Sequence, residues 1–310
     1  MRNFLDISQI PKKSLESIIK EAKNMKKKRE GLPNGALDNS MRLENRIVGL
    51  IFEKPSTRTR ISFDVGIRQM GGKSMVLSVN DLQLGNGESI SDTAKVLSLY
   101  LDMVMIRTTD ESKLLDFARY SSIPVINGLT DQSHPCQVMA DVMTFEEHKG
   151  NIRDKKVVWV GDANNVCTSY IHASVQFGFN LIIASPEQFS PDKSLLTWAK
   201  THGGNVKVSV DPNEAVDNAD LVVTDTHLSM HNDIGGANSR LKILHKFQVN
   251  KKLMSKAKSD AIFMHCLPAH RNVEVTDDVI DGHQSVVLSA AENRLHVQKS
   301  LMKWCFQEII

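Results

Sequence analysis

Strand-like and helix-like segments alternate along this chain, break once at a helical connector, and then alternate again. "RIVGLIFEK" reads as a strand, "TRTRISFDVGIRQMGG" as a helix closed by glycines, and "KSMVLSV" as a strand. "ESISDTAKVLSLYL" is a helix, "DMVMIRT" a strand, "ESKLLDFARYS" a helix and "IPVIN" a strand. The connector is "HPCQVMADVMTFEEHKG". Beyond it come "KKVVWVGD", "VCTSYIHASVQFG", "NLIIAS", "LLTWAKTHGG", "NVKVSV", "DLVVTD" and "AIFMHCLP", again strand and helix by turns until the last three strands. Such alternation predicts parallel sheets covered by helices, because parallel neighbours need a crossover that is usually a helix. The expected fold is α/β, with two Rossmann-like domains, each a parallel sheet with helices on both faces, linked by interdomain helices. A chain of 310 residues has room for both. The expected division is 1–135 and 136–289, with the boundary at the connector, Cys136 to Gly150, and the last helix, 290–310, packing back on the first domain and bringing Arg294 with it.

Composition narrows the class. The formal net charge is +2, which gives no general reason to expect nucleic acid or an acidic membrane as partner. The one dense basic run, "KNMKKKRE" at Lys23 to Glu30, follows an amphipathic pattern at Leu15, Ile18, Ile19 and Ala22, so a solvated helix face is expected there. Four scattered cysteines, Cys136, Cys167, Cys266 and Cys305, form no C-x-x-C pair and read as free thiols of a reducing compartment. No apolar run is long enough to span a bilayer and the N-terminus lacks a signal-peptide core, so a cytoplasmic location is expected.

In open α/β sheets the working groups gather beyond the carboxyl ends of the strands. Those ends carry "PSTRTR", Arg107, "HPCQ", "GDANN", "DTHLSM" and "HCLPAH". In "FEKPSTRTRISF", hydroxyls and arginines gather where a strand turns into a helix. A helix N-terminus offers unpaired N–H groups and the positive end of the dipole, and Arg58 adds a forked cation, so an anion site is expected. It is not a Walker loop, and "VGDANNV" lacks the dinucleotide glycines. His134, before Pro135, could donate to a carbonyl oxygen as charge develops on it, or could be a satisfied structural histidine. Cys266 stands between His265 and Leu267, but no second Cys/His pair complements it as a zinc site, so no metal is expected. Its thiol could be a nucleophile or simply line a pocket. Asp225 could pair with a cationic amine or cap a helix, and Asn164 and Asn165 could donate to a carboxylate or shape a turn.

Taken together, these clusters resemble the aspartate/ornithine carbamoyltransferase family over nearly the whole chain. "FEKPSTRTRISF" resembles the family's carbamoyl-phosphate loop, "MIRT" its strand-end arginine and "HPCQ" its H-P-x-Q motif. "GDANN", "DTHLSM" and "HCLPAHR" resemble the ornithine branch. The resemblance implies that 1–135 binds carbamoyl phosphate and 136–289 binds ornithine. Ser56, Thr57, Arg58 and Thr59 would hold the phosphate. Arg107, His134, Pro135, Cys136 and Gln137 would meet the carbamoyl part, with Cys266, Leu267 and Arg294 closing around it. Gln83 would reach a neighbouring subunit's site, which implies a homotrimer. Asn165, Asp225, Ser229 and Met230 would bind the α-amino acid end of L-ornithine, and Arg58, Arg107, His134 and Cys266 would carry the catalysis. The implied reaction forms citrulline and phosphate, in arginine biosynthesis or in the catabolic direction, and needs no cofactor. Alternatives are a carbamoyltransferase for another amine, such as putrescine or an N-acylornithine, and a non-catalytic regulatory member.

The chain departs from the family's pattern in three places. His227 stands for tryptophan and His231 for glycine in the D-x-W-x-S-M-G pattern, and Asn86 for the usual arginine in "LGRGE". His231 is expected to make the loop less ready to close. His227 is expected to titrate near neutral pH and compete with the substrate's ammonium for Asp225.

Overall fold

The computed structural model describes residues 2–78, 87–227 and 237–307. Two compact units divide the chain, Met1–Met143 with Glu292–Ile310, and Thr144–Ala291.

In the first unit the order is α1 (Lys12–Lys27), β1 (Ile47–Phe52), α2 (Thr57–Gln69), β2 (Lys73–Ser78), α3 (Ile90–Tyr100), β3 (Met103–Arg107), α4 (Glu111–Tyr120), β4 (Val125–Leu129) and the start of α5 (Pro135–Lys149). Its four described strands are all parallel, in the order β2-β1-β3-β4. β1 goes first to β2 on one side and the chain then returns to place β3 on the other, so the strand order reverses between β1 and β3. Val48, Leu50, Met103 and Val104 are fully buried, and each such aliphatic side chain contributes roughly 1.5–3 kcal/mol. β4 runs two residues past the expected "IPVIN" because of a register shift: Ile106 faces Asn127 but Arg107 faces Leu129. Gly128 is the extra residue, and a Cβ there would lie 2.3 Å from Met105 Sδ and 3.1 Å from the Ile106 carbonyl.

The second unit contains β5 (Lys156–Val160), α6 (Asn165–Phe177), β6 (Asn180–Ala184), α7 (Lys193–Thr201), β7 (Val206–Ser209), α8 (Pro212–Val216), β8 (Leu221–Thr224), α9 (Ala237–Leu244), α10 (Lys251–Met254), β9 (Ile262–His265) and α11 (Asp277–Ile280). Five parallel strands lie in the order β7-β6-β5-β8-β9, and here the order reverses between β5 and β8. Val158, Val160, Val222 and Phe263 join Val249 and Val275 in one core. Asn164 starts α6 with its side-chain oxygen on the N–H groups of Val166 and Cys167, and Gly178 ends the helix at φ 76°.

The last helix, α12 (Val287–Cys305), brings its residues from Glu292 onward into the first unit. Lys299 is fully buried there, paired with Asp38 at 2.6 Å and with Gln69 Oε1 at 2.9 Å, and Ser300 donates to the Ile18 carbonyl. The basic run that closes α1 and continues just past it is more than a solvated face. Arg29 makes a largely buried pair with Asp38 at 2.7 Å, and Lys26 donates to Asn293 Oδ1 at 2.7 Å. Two of its cations therefore anchor the helix. No described helix is long and apolar enough to cross a membrane, and no disulfide joins any of the four cysteines, all of them described.

Candidate active site

Both strand-order reversals place chemistry at the carboxyl ends of adjacent strands, where ligands of open α/β sheets bind. In the first unit Phe52 pairs with Arg107, so the chain beyond β1 and the side chain ending β3 emerge together. Ser56 is the N-cap of α2 by its extended backbone (φ −154°, ψ 110°), yet its side chain makes no capping bond. Thr57 is exposed, Arg58 half-buried and Thr59 fully buried. The Thr59 hydroxyl accepts from Arg107 Nη1 at 3.2 Å and from Arg294 Nη2 at 2.7 Å. It fixes two guanidinium groups side by side, one from β3 and one from α12.

His134, 4% exposed, stands before Pro135, the first residue of α5. Burial holds its pKa well below the usual imidazole value, reinforced by the positive charges of Arg294, Arg107 and Arg58. Three arginines thus surround one neutral imidazole. Gln137 is buried and donates to Asp141 Oδ1 at 3.0 Å, while its own carbonyl oxygen has no partner among the described residues. Cys136 is engaged by the backbone. Its thiol donates to the Asn127 carbonyl at 3.3 Å, and burial pushes its pKa up to about 12.

In the second unit Val160 pairs with Thr224, so Gly161 and Asp162 emerge beside Asp225 and Thr226. Asp225 accepts from Asn164 Nδ2 at 2.7 Å on one oxygen and from the Cys266 thiol at 2.8 Å on the other. Cys266 and Leu267, expected beside the carbamoyl group, follow β9 in this unit. The Leu267 N–H donates to His265 Nδ1 at 2.8 Å, and His265 Nε2 lies 3.5 Å from Glu274, itself fully buried. Asp225, His265 and Cys266 each offer a potential metal-ligand atom within 4.8 Å of the others. Each is already engaged by protein, and a cation would have to displace the Cys266–Asp225 hydrogen bond to bind there.

His227 corrects one expectation. It is 1% exposed, and burial lowers its pKa to about 4 against the pull of Glu274 and Asp225. The ring is therefore neutral near pH 7 and cannot compete with an ammonium group for Asp225. Gly161, at φ +115°, makes room for it, since a Cβ there would stand 2.6 Å from His227 Nε2. Gln83, Ser229, Met230, His231 and Asn86 lie outside the described residues.

The structure adds residues to which the resemblance gave no role, although the sequence offers Asn164 as a donor to a carboxylate. Asn164 directly partners Asp225, whereas Asn165 is the first residue of α6. Arg240, on α9, pairs with Asp162, donates to the His227 carbonyl at 2.9 Å and lies 4.2 Å from the Phe189 ring centroid. Nothing in its local sequence marked it. Burial raises the pKa of Asp162 against the effect of Arg240. Glu53, inside the quoted "FEKPSTRTR", takes donors from the turn after β3 and from Lys113 on α4.

Residues 2–147 match the aspartate/ornithine carbamoyltransferase carbamoyl-P binding domain, and residues 153–305 match the Asp/Orn binding domain of the same family. A relative from Ruegeria pomeroyi, named ornithine carbamoyltransferase, is 55% identical over 98% of this chain and 99% of its own length. One of the same name from Roseobacter denitrificans is 56% identical over the same shares. Among solved structures, the ornithine carbamoyltransferase from Pyrococcus furiosus superposes with a TM-score of 0.91 at 45% identity, covering 97% of this chain and 96% of that one. The anabolic ornithine carbamoyltransferase from Campylobacter jejuni also gives a TM-score of 0.91, at 35% identity over 99% and 100%. With both of its domains matched and its sheets shared with those structures, the chain belongs to the aspartate/ornithine carbamoyltransferase family.

Proposed function

We propose that this protein transfers the carbamoyl group of carbamoyl phosphate to the δ-amine of L-ornithine, giving L-citrulline and phosphate. The observation that carries the proposal is the grouping of Arg58, Arg107, Arg294 and neutral His134 in the first unit, with Asp225 held by Asn164 and Cys266 in the second.

Arg58 and the N-terminus of α2, whose cap hydroxyl is not spent on the helix, take the phosphate. The two guanidinium groups fixed by Thr59, with His134, are donors for the carbamoyl oxygen. As the neutral amine attacks, negative charge builds on that oxygen, and preorganised donors stabilise it more in the transition state than in the ground state. His134 acts here as a neutral hydrogen-bond donor. The open carbonyl oxygen of Gln137 suits the carbamoyl NH2. As the C–N bond forms, the C–O bond to phosphate breaks, and the proton lost by the amine goes to the departing phosphate, which leaves as the HPO4 dianion against Arg58. Exchanging a mixed anhydride for a urea favours citrulline.

Asp225 takes the substrate's α-ammonium and Asn165, by resemblance, the carboxylate end, which together favour a free α-amino acid over putrescine or an N-acylated ornithine. Asn165, Ser229 and Met230 complete that end by their resemblance to the family's motifs, and Gln83 by the same resemblance implies a homotrimer. The protein's own side chains account for the step without a metal or organic cofactor. The test is a citrulline assay with the purified protein, offering ornithine, N-acetylornithine and putrescine in turn. Turnover with ornithine alone is expected. Turnover preferring putrescine, or none with any amine, would overturn the assignment.

A further inference from the structure

Glu53 is a carboxylate at the edge of a half-site that suits an anion, and phosphate chemistry gives it no use. Its contacts point elsewhere. The Glu53 N–H donates to the Arg107 carbonyl at 2.9 Å, extending the β1–β3 pairing by one residue. Its Oε2 accepts from Thr108 Oγ1 at 2.6 Å, from the Thr109 N–H at 3.0 Å and from Thr109 Oγ1 at 3.3 Å, and its Oε1 accepts from Lys113 Nζ at 2.7 Å. The turn it grips is tied in its turn to β4. Thr108 N–H donates to the Leu129 carbonyl at 3.1 Å, and Asp131 N–H to the Thr109 carbonyl at 3.0 Å. Just beyond, Thr130 Oγ1 accepts the Ser133 N–H at 3.1 Å, and His134 follows.

We propose that Glu53 is a positioning residue for the phosphate half-site, its carboxylate bracketing the ends of β1, β3 and β4 so that Arg58, Arg107 and His134 converge. This rests on the assignment of the first unit as the carbamoyl-phosphate-binding part. Burial alone would raise the Glu53 pKa, but the donors from Lys113, Thr108 and Thr109 outweigh it and hold the pKa below the ordinary value. The group is therefore an anion near pH 7, and Lys113 offsets the charge that would repel phosphate.

Positioning and simple electrostatics predict opposite signs. If Glu53 acted only through its charge, removing it would tighten phosphate binding. A bracket, once removed, lets the donors drift, and small misplacements cost heavily in a preorganised site.

The experiment measures affinity for inorganic phosphate by calorimetry, and kcat and KM for both substrates, in the full-length protein. Wild type is compared with Glu53→Ala, Glu53→Gln, Lys113→Met, the Glu53→Gln/Lys113→Met double variant and Arg58→Ala. Glu53→Ala should weaken phosphate by about tenfold to a hundredfold, lower kcat/KM for carbamoyl phosphate in parallel, and leave the ornithine KM within about twofold. Glu53→Gln keeps an acceptor for the Thr109 N–H and should stay within about threefold of wild type. Lys113→Met should weaken phosphate in the wild-type background and have no effect beside Glu53→Gln. That non-additivity decides the matter even if Glu53→Ala does not fold.

Tighter or unchanged phosphate binding in Glu53→Ala, equal losses for both substrates, or additive effects of the Glu53→Gln/Lys113→Met pair would overturn the proposal. Arg58→Ala separates the two levels of inference. If it binds phosphate as wild type does, the half-site itself is misassigned. If it loses phosphate while Glu53→Ala does not, only the bracket fails.

Discussion

Thr59→Val tests the arrangement of the first unit most directly. The Thr59 side chain is fully buried, and its oxygen accepts from two guanidinium groups, Arg107 at 3.2 Å and Arg294 at 2.7 Å. Valine keeps the branched shape and removes the acceptor, so both cations lose the atom that sets them side by side. A hydrogen bond to a charged group is worth about 1.5–3 kcal/mol, and a pair sharing one acceptor falls short of the sum. Losing both should cost about 2–4 kcal/mol of transition-state stabilisation, or roughly 30-fold to 1000-fold in kcat/KM for carbamoyl phosphate. The ornithine KM should hardly move, because no residue of the second unit is touched. Thr59→Ser, which keeps the hydroxyl and loses only a methyl, is the control and should retain most of the activity. Steady-state kinetics at saturating ornithine, with a thermal melt to confirm folding, gives the answer. A folded Thr59→Val enzyme within about threefold of wild type would mean that Arg107 and Arg294 need no common anchor.

Two further outcomes follow from the charges. Asp225→Asn should raise the ornithine KM by about a hundredfold or more while leaving the carbamoyl-phosphate KM near wild type, since it removes the carboxylate proposed to take the α-ammonium; equal rises in both KM values would refute that role. His227 and His296 are lowered to about 4 and about 3, His227 by burial and His296 by burial and then Lys299, so between those values and the usual 6.5 the unfolded chain binds more protons than the folded one. Stability should therefore fall as pH drops from about 6.5, and His227→Gln or His296→Gln should each flatten Tm against pH over that range; a slope unchanged in both would show that neither ring is held neutral by the fold.

Long, strongly periodic segments were legible in the sequence, and all nine strands among the described residues begin within two residues of where their apolar runs begin. The short helices α8, α10 and α11 were not, because four or five residues carry no readable period. The extension of β4 through Gly128 was invisible for a different reason. It depends on a register shift against β3, and register is a property of two strands together. Among candidate site residues, those in compact motifs could be named from the sequence: Arg58 in "STRTR", Arg107 at a strand end, His134 before a proline. Arg240 could not, since its partners Asp162 and the His227 carbonyl come from distant turns. The titration expected of His227 failed because exposure decides it, and its neighbours in sequence do not reveal that the ring packs over Gly161.

The two units also differ in the sign of the charge they leave unspent, and that difference matches the substrates. In the first, burial keeps the His134 imidazole neutral and the charges of Arg294, Arg107 and Arg58 reinforce it, so the cations that would stabilise an anion also oppose an extra proton on His134. A dianionic acyl phosphate suits such a field, and an ammonium group does not. In the second, Asp162 is paired with Arg240 and Glu274 faces His265, whereas Asp225 accepts only from an amide and a thiol among the described residues. The two acids with cationic or basic partners have structural work. Asp225 is the one whose charge is met by dipoles alone, and it stands at the strand-order reversal of its sheet, where a substrate ammonium would complete it.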